Sequence, residues 1–149
     1  MKQLRRLCSD LRPLALDQLG LPAALRLLAQ EMTVQGLPVE TYVEDLSLLD
    51  EAATGLYRIC QEALSNAWRH AQASRAILTL ACEENGIVLT IADDGRGFDP
   101  ASVRWSNGRF GLMGMVGLAE ALGGALTIQS TPGQGTQVIV HCGLYILSP

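Results

Sequence analysis

A chain of 149 residues, 48% hydrophobic and 17% charged, suits one domain with a sizeable core and excludes a disordered segment. Its formal charge of −4 argues against a broad nucleic-acid-binding surface. No window approaches the roughly 18 unbroken apolar residues of a membrane span, and Met1-Lys-Gln-Leu-Arg-Arg6 lacks the apolar stretch of a signal peptide, so the segment is expected in the cytoplasm without membrane contact.

In chain order, residues 2–12 alternate Leu4, Leu7, Cys8 and Leu11 with basic and acidic residues at a helical period, and the Arg12-Pro13 step should end that helix. The pattern predicts a second helix over residues 22–32, with Pro22 in its first turn and Leu25, Leu28 and Ala29 inward. Residues 39–43 read as a strand with Val39, Thr41 and Val43 on one face. Asp50 is the expected N-cap of a long helix ending near Gln72, with Leu56, Ile59, Cys60, Ala63, Leu64 and Ala67 as its core stripe. Residues 75–83 and 87–92 should form a hairpin through a type I′ turn at Asn85-Gly86. A lid over 99–110, a helix over 112–122 ending at Gly123-Gly124, and strands over 125–130 and 136–142 complete the chain. The four cysteines (Cys8, Cys60, Cys82, Cys142) lack C-x-x-C spacing and are expected as reduced core thiols. The order α-α-β-α-β-β-α-β-β predicts an α/β (α+β) sandwich, a mixed, mostly antiparallel sheet with helices packed on one face.

Four segments carry chemistry. Ile91-Ala-Asp-Asp-Gly-Arg-Gly-Phe98 ends an apolar strand on Asp93, whose carboxylate could accept a hydrogen bond from an exocyclic amine such as adenine's N6. Gly95 and Gly97 lack the Cβ atoms that would keep a ring away, although Asp-Asp-Gly is also ordinary turn chemistry. Asp94 should point the other way and organise the turn. Glu62, Asn66 and His70 fall at steps of four and share one helix stripe. The Asn66 amide oxygen is a hard ligand suited to Mg²⁺, and Glu62 could orient a metal-bound water or act as a base. The same stripe would serve as a solvated helix face, and His70 could simply meet the helix dipole. Gly108-Arg-Phe-Gly-Leu-Met-Gly114 offers successive N–H groups at a helix start, without the Gly-Lys-Ser/Thr of a P-loop. Gly133-Gln-Gly-Thr136 brings a hydroxyl after two glycines at a strand start.

Taken together, these residues resemble the ATP-binding domain of two-component sensor histidine kinases, in the superfamily shared with gyrase, Hsp90 and MutL. Residues 57–71 look like its N box, Asp93-Asp-Gly-Arg-Gly97 like its first glycine box, residues 108–114 like its second and 133–136 like its third. The short lid, and Leu11-Arg-Pro13 followed by Leu19-Gly-Leu21, are similar to the subgroup of nitrate and membrane-fluidity sensor kinases. The resemblance implies a Bergerat-type ATP-binding fold over residues 36–149, preceded by the tail of a dimerisation helix and a linker helix over 1–35. Carried over, Asn66 would coordinate Mg²⁺, Glu62 would assist at the metal or its water, and Asp93 would bind adenine between Gly95 and Gly97. Gly111 and Gly114 would let the lid approach the phosphates, His70 would sit near them, and Thr136 would support the nucleotide side. Phe98, Gly108, Leu112 and Met115 complete the implied nucleotide-binding set.

That likeness implies a domain that binds Mg-ATP and donates the γ-phosphoryl group to a histidine on the dimerisation helices of the same full-length protein, with a response regulator as indirect partner. Two departures stand out. The acceptor histidine would lie upstream of Met1, since His70 ends the N-box helix and His141 falls in a strand. Val116-Gly117-Leu118 also stands where the family usually carries Arg-Glu-Arg, which removes positive charge from that helix. Alternatives sharing the pocket are a serine kinase or binding module of the anti-sigma-factor type, an ATP hydrolase with Glu62 as base, and a non-catalytic interaction domain.

Overall fold

The structure is a computed structural model that describes residues 13–102 and 111–149. The expected helix over 2–12, with Cys8, and the lid residues from 103 to 110, with Gly108, lie outside the described residues.

A short helix not foreseen in the sequence, α1 (Leu14–Leu19), opens the described chain. Pro13, at φ −58° and ψ 138°, is the N-cap of this helix. Gly20 at φ 83° makes the joint to α2 (Leu21–Gln35), which carries Pro22 in its first turn and buries Leu25, Leu28 and Ala29 as expected. It outruns the expected end by three residues. Gly36, at φ 123°, stops it by donating to the Met32 and Thr33 carbonyls.

β1 (Val39–Val43) keeps Val39, Thr41 and Val43 half-buried and exposes Glu40 and Tyr42. The long helix α3 (Asp50–Arg69) buries the whole expected stripe from Leu56 to Ala67. Asp50 is not its N-cap: Leu49 holds that position and no side chain caps it, so Asp50 and Glu51 instead place charge in the first turn, where the helix dipole favours it. The helix ends at Arg69, short of Gln72, which takes a left-handed φ of 53°.

β2 (Ala76–Glu83) and β3 (Gly86–Asp93) pair antiparallel, but the turn differs from the expected type I′. Glu83 pairs with Gly86, so Glu84 and Asn85 form the loop, and of the turn residues only Gly86 has positive φ, 148°. A Cβ on Gly86 would collide with the Cys142 carbonyl oxygen, which explains why glycine sits there. Helix α4 (Leu112–Ala121) ends with Gly123 at φ 71°, and β4 (Ala125–Ser130) and β5 (Thr136–Cys142) keep their expected bounds.

The five strands lie in the order β1-β2-β3-β5-β4. Tight turns make β2–β3 and β4–β5 antiparallel, while the α3 crossover makes β1 parallel to β2. Leu78 and Leu80, Leu89 and Ile91, and Val138 and Val140 alternate onto one face, where they join Leu25, Leu28, Leu56, Ile59 and Leu64 in one core. The fold is the mixed sheet with helices on one face that the element order implies. Cys60 and Cys142 are buried thiols, but Cys82 is exposed. The parallel partner β1 stops at Val43 opposite Leu80, so Cys82 extends beyond its cover. Among the described residues no helix is long and apolar enough to cross a membrane.

Candidate functional site

Strand register decides where Asp93 points. It lies opposite Ala76 on β2 and Thr136 on β5, in the same pleat as Ile91 and Leu89, so its side chain rises on the helix-covered face. There it is half-buried and accepts a hydrogen bond from the Gly95 N–H at 2.7 Å. Burial pushes its carboxyl above the usual carboxylate range; the Gly95 donor opposes this, and the neighbouring Asp94 charge adds to it.

The cavity at Asp93, about 230 Å³, gathers residues from five elements. Asn66 and His70 come from the end of α3, with Gly97 and Phe98 from the loop after β3. Leu112 comes from the start of α4 and Thr136 from β5. Seven of the residues picked out in the sequence therefore share one pocket. Its apolar walls are Ala63, Ile91 and Val138, with Ala71 beside them. None was foreseen, although each follows from periodicity: Ile91 is two residues before Asp93, Val138 two after Thr136, and Ala63 one helical turn before Asn66. Arg96 and Ser102, on the exposed rim, were also missed.

Five other expected residues lie elsewhere. Glu62 does not line the pocket. Its half-buried carboxylate is pressed against Gly111, where a Cβ would collide with Oε1. Burial raises that carboxyl above its usual range, against the pull of Arg69 and His70. Gly111, at φ 69°, thus serves a close contact between α4 and α3. Gly95 lies behind the pocket, not in its lining: a Cβ there would come within 2.5 Å of the Ala71 Cβ and 2.6 Å of the Ala71 oxygen. Met115, three residues past Leu112, turns into the core and is 1% exposed. Gly114 is exposed, with open space where a Cβ would stand.

The loop after β3 is fastened from two sides. Arg96 N–H donates to the Ala71 oxygen at 2.8 Å. Asp94 turns away from the pocket, as alternation requires, and its Oδ1 accepts from the Ser74 and Arg75 N–H groups at 2.8 and 3.0 Å. Its other oxygen accepts from the Ser74 hydroxyl, and that bond chiefly holds the Asp94 carboxyl below its ordinary range. On the opposite side, Gly133 N–H donates to the Arg96 oxygen at 2.6 Å, and Phe98 N–H donates to Ser130 Oγ at 2.8 Å. Ser130 Oγ also meets Thr136 Oγ1 at 2.8 Å. The third glycine segment is thus a brace for the first, and the Thr136 hydroxyl is part of that brace.

The described residues contain no cluster of three or more histidine, cysteine or acidic side chains suited to a metal. One amide oxygen in a pocket fits a cation that keeps most of its ligands on water and phosphate, as Mg²⁺ does.

Residues 51–146 match the family model for the histidine kinase-, DNA gyrase B- and HSP90-like ATPases. The signal transduction histidine-protein kinase/phosphatase UhpB of Salmonella typhimurium is 38% identical over 140 residues, which cover 91% of this chain and 27% of that protein. The sensor histidine kinase LiaS of Bacillus subtilis is 33% identical over 144 residues, covering 96% of this chain and 39% of that protein. The chain thus spans about a quarter to two-fifths of the length of these curated relatives. Among solved structures, the blue-light activated histidine kinase EL346 of Erythrobacter litoralis shares the fold, with a TM-score of 0.72 at 23% identity over 83% of this chain and 42% of that chain. With a braced Asp93 loop facing Asn66 across one pocket and the family model spanning most of the chain, this protein belongs to the histidine kinase-, DNA gyrase B- and HSP90-like ATPase family.

Proposed function

We propose that this chain is the ATP-binding, phosphoryl-donating domain of a cytoplasmic sensor histidine kinase segment. In this reading it holds Mg-ATP between Asp93 and Asn66. The γ-phosphoryl group passes to a histidine on dimerisation helices of the full-length protein, and a response regulator takes it from there. The observation that carries this reading is the shared pocket: a desolvated carboxylate from the sheet and an amide from α3 line the same cavity. The names of the relatives, sensor and signal-transduction histidine kinases, support the reaction class.

Each side chain has a task suited to its setting. Asp93 accepts a hydrogen bond from the exocyclic amine of adenine, while Ala63, Ile91 and Val138 exclude water around the ring. Asn66 would hold Mg²⁺ through its amide oxygen, and His70 lies one turn later on the same wall. Glu62, packed against Gly111 and one turn before Asn66, would assist at the metal or its water. When bound, Mg²⁺ would neutralise charge on the phosphate oxygens. The chain's own contribution is positioning, the main source of rate in phosphoryl transfer. Residues 1–35 are the proposed connection to the dimerisation helices.

The test is transfer in trans. The chain is incubated with Mg²⁺, radiolabelled ATP and a separate dimerisation-helix pair bearing the acceptor histidine. Acid-labile phosphohistidine on the helices is the expected product. Acid-stable phosphoserine on a partner, or rapid phosphate release abolished by Glu62→Gln, would overturn the reading.

A further inference from the structure

Arg96 is the pocket residue whose chemistry nothing above uses. It is exposed, lines the cavity, and makes no ion pair or side-chain hydrogen bond among the described residues. Its backbone, by contrast, is pinned at both ends: the N–H to the Ala71 oxygen at 2.8 Å, the carbonyl to the Gly133 N–H at 2.6 Å. A long planar cation therefore stands on a fixed base at the mouth of an apolar slot. The position is set by its neighbours in sequence. Arg96 is three residues past Asp93 on the same loop, at the adenine end, whereas the glycine segment leading into α4 is on another element.

Ala63 of α3, Ile91 of β3 and Val138 of β5 give the pocket apolar walls against which one face of a flat ring can pack, while Arg96 stands exposed on the rim. A guanidinium is planar, weakly hydrated and attracted to the face of a π-system, which a lysine ammonium matches poorly. Resting on the ATP reading of this pocket, we propose that Arg96 is a purine-stacking residue that closes over the base from the solvent side and contributes binding to the adenosine part of the nucleotide.

A displacement titration tests it. A fluorescent ATP analogue bound to the full chain in Mg²⁺ is displaced by adenosine, ADP or ATP, with wild type, Arg96→Ala and Arg96→Lys. The alanine variant should bind all three about three- to tenfold more weakly, by a similar factor for each. The lysine variant should remain nearly as weak. The melting temperature should not move in either, since the side chain makes no ion pair or hydrogen bond among the described residues. A loss that grows with the number of phosphates would assign Arg96 to the phosphates and overturn the proposal, as would full rescue by lysine or no loss at all. An Asp93→Asn arm separates the two levels. If that change leaves ATP affinity intact, the pocket reading itself fails and Arg96 stacking falls with it. If it weakens ATP while Arg96→Ala does not, only the stacking is wrong.

Discussion

Holding Asp93 ionised works against the stability of the fold. The carboxyl is half-buried on the core face, and burial raises it above the usual range. A carboxyl raised in the folded state favours folding fully only below its unfolded pKa, and that contribution is lost as pH rises through the folded value. At neutral pH the charged form is therefore destabilising. Asp93→Asn should melt higher than wild type at neutral pH, with the gain shrinking as the solution is acidified to about pH 3. Thermal melts across that range check the sign. Asn66→Asp should act on a different quantity: the gain in ATP affinity that Mg²⁺ confers should change markedly, while Mg²⁺-free binding changes little. Titrations with and without the metal separate the two.

At the scale of elements, the site depends on three loops fastened together. Gly97 is at φ 62°, and a Cβ there would meet the Thr131 carbonyl oxygen; Gly135 is at φ 80° against the Asp93 backbone. Gly97→Ala should cost about 1–3 kcal/mol in denaturant unfolding and weaken nucleotide binding as well, because the loop it strains carries Asp93. An unchanged midpoint would mean that the brace is loose.

Element types were legible wherever periodicity was long and its ends were marked. β4 and β5 alternate between glycine flanks, and α3 carries an unbroken apolar stripe. The six residues of α1 are too few to show a helical period. The turn at Glu84-Asn85 was missed because Asn-Gly suggested itself as the loop, while the register places Gly86 on the strand against Cys142. Asp93 and Asn66 stand out only through the order of the four motifs and the resemblance it carries, since each alone also suits a turn or a solvated helix face. Ala63, Ile91 and Val138 could not be distinguished from ordinary core, since only the fold shows which core residues border a void. Gly95 and Gly111 were read as serving the ligand, and the structure uses them for contacts between protein segments.

For the molecule as a whole, described residues on both sides of the division proposed at residue 35 share one core. Leu16, Leu21, Leu25 and Leu28 sit in the same core cluster as the sheet. A chain lacking residues 1–12 should keep its nucleotide affinity, whereas one lacking 1–35 should lose cooperative unfolding, because several buried leucines at about 2–5 kcal/mol each exceed the stability of a small domain. Equal cooperativity in both truncations would contradict a shared core.

The central claim is that Asp93 reads adenine in a pocket shared with Asn66, and calorimetric titration of wild type and Asp93→Asn with ATP and with GTP in millimolar Mg²⁺ tests it most directly. Wild type should bind ATP in preference to GTP, and the substitution should weaken ATP about tenfold or more while leaving GTP nearly unchanged. Equal losses for both nucleotides, or an ATP affinity indifferent to the change, would contradict it.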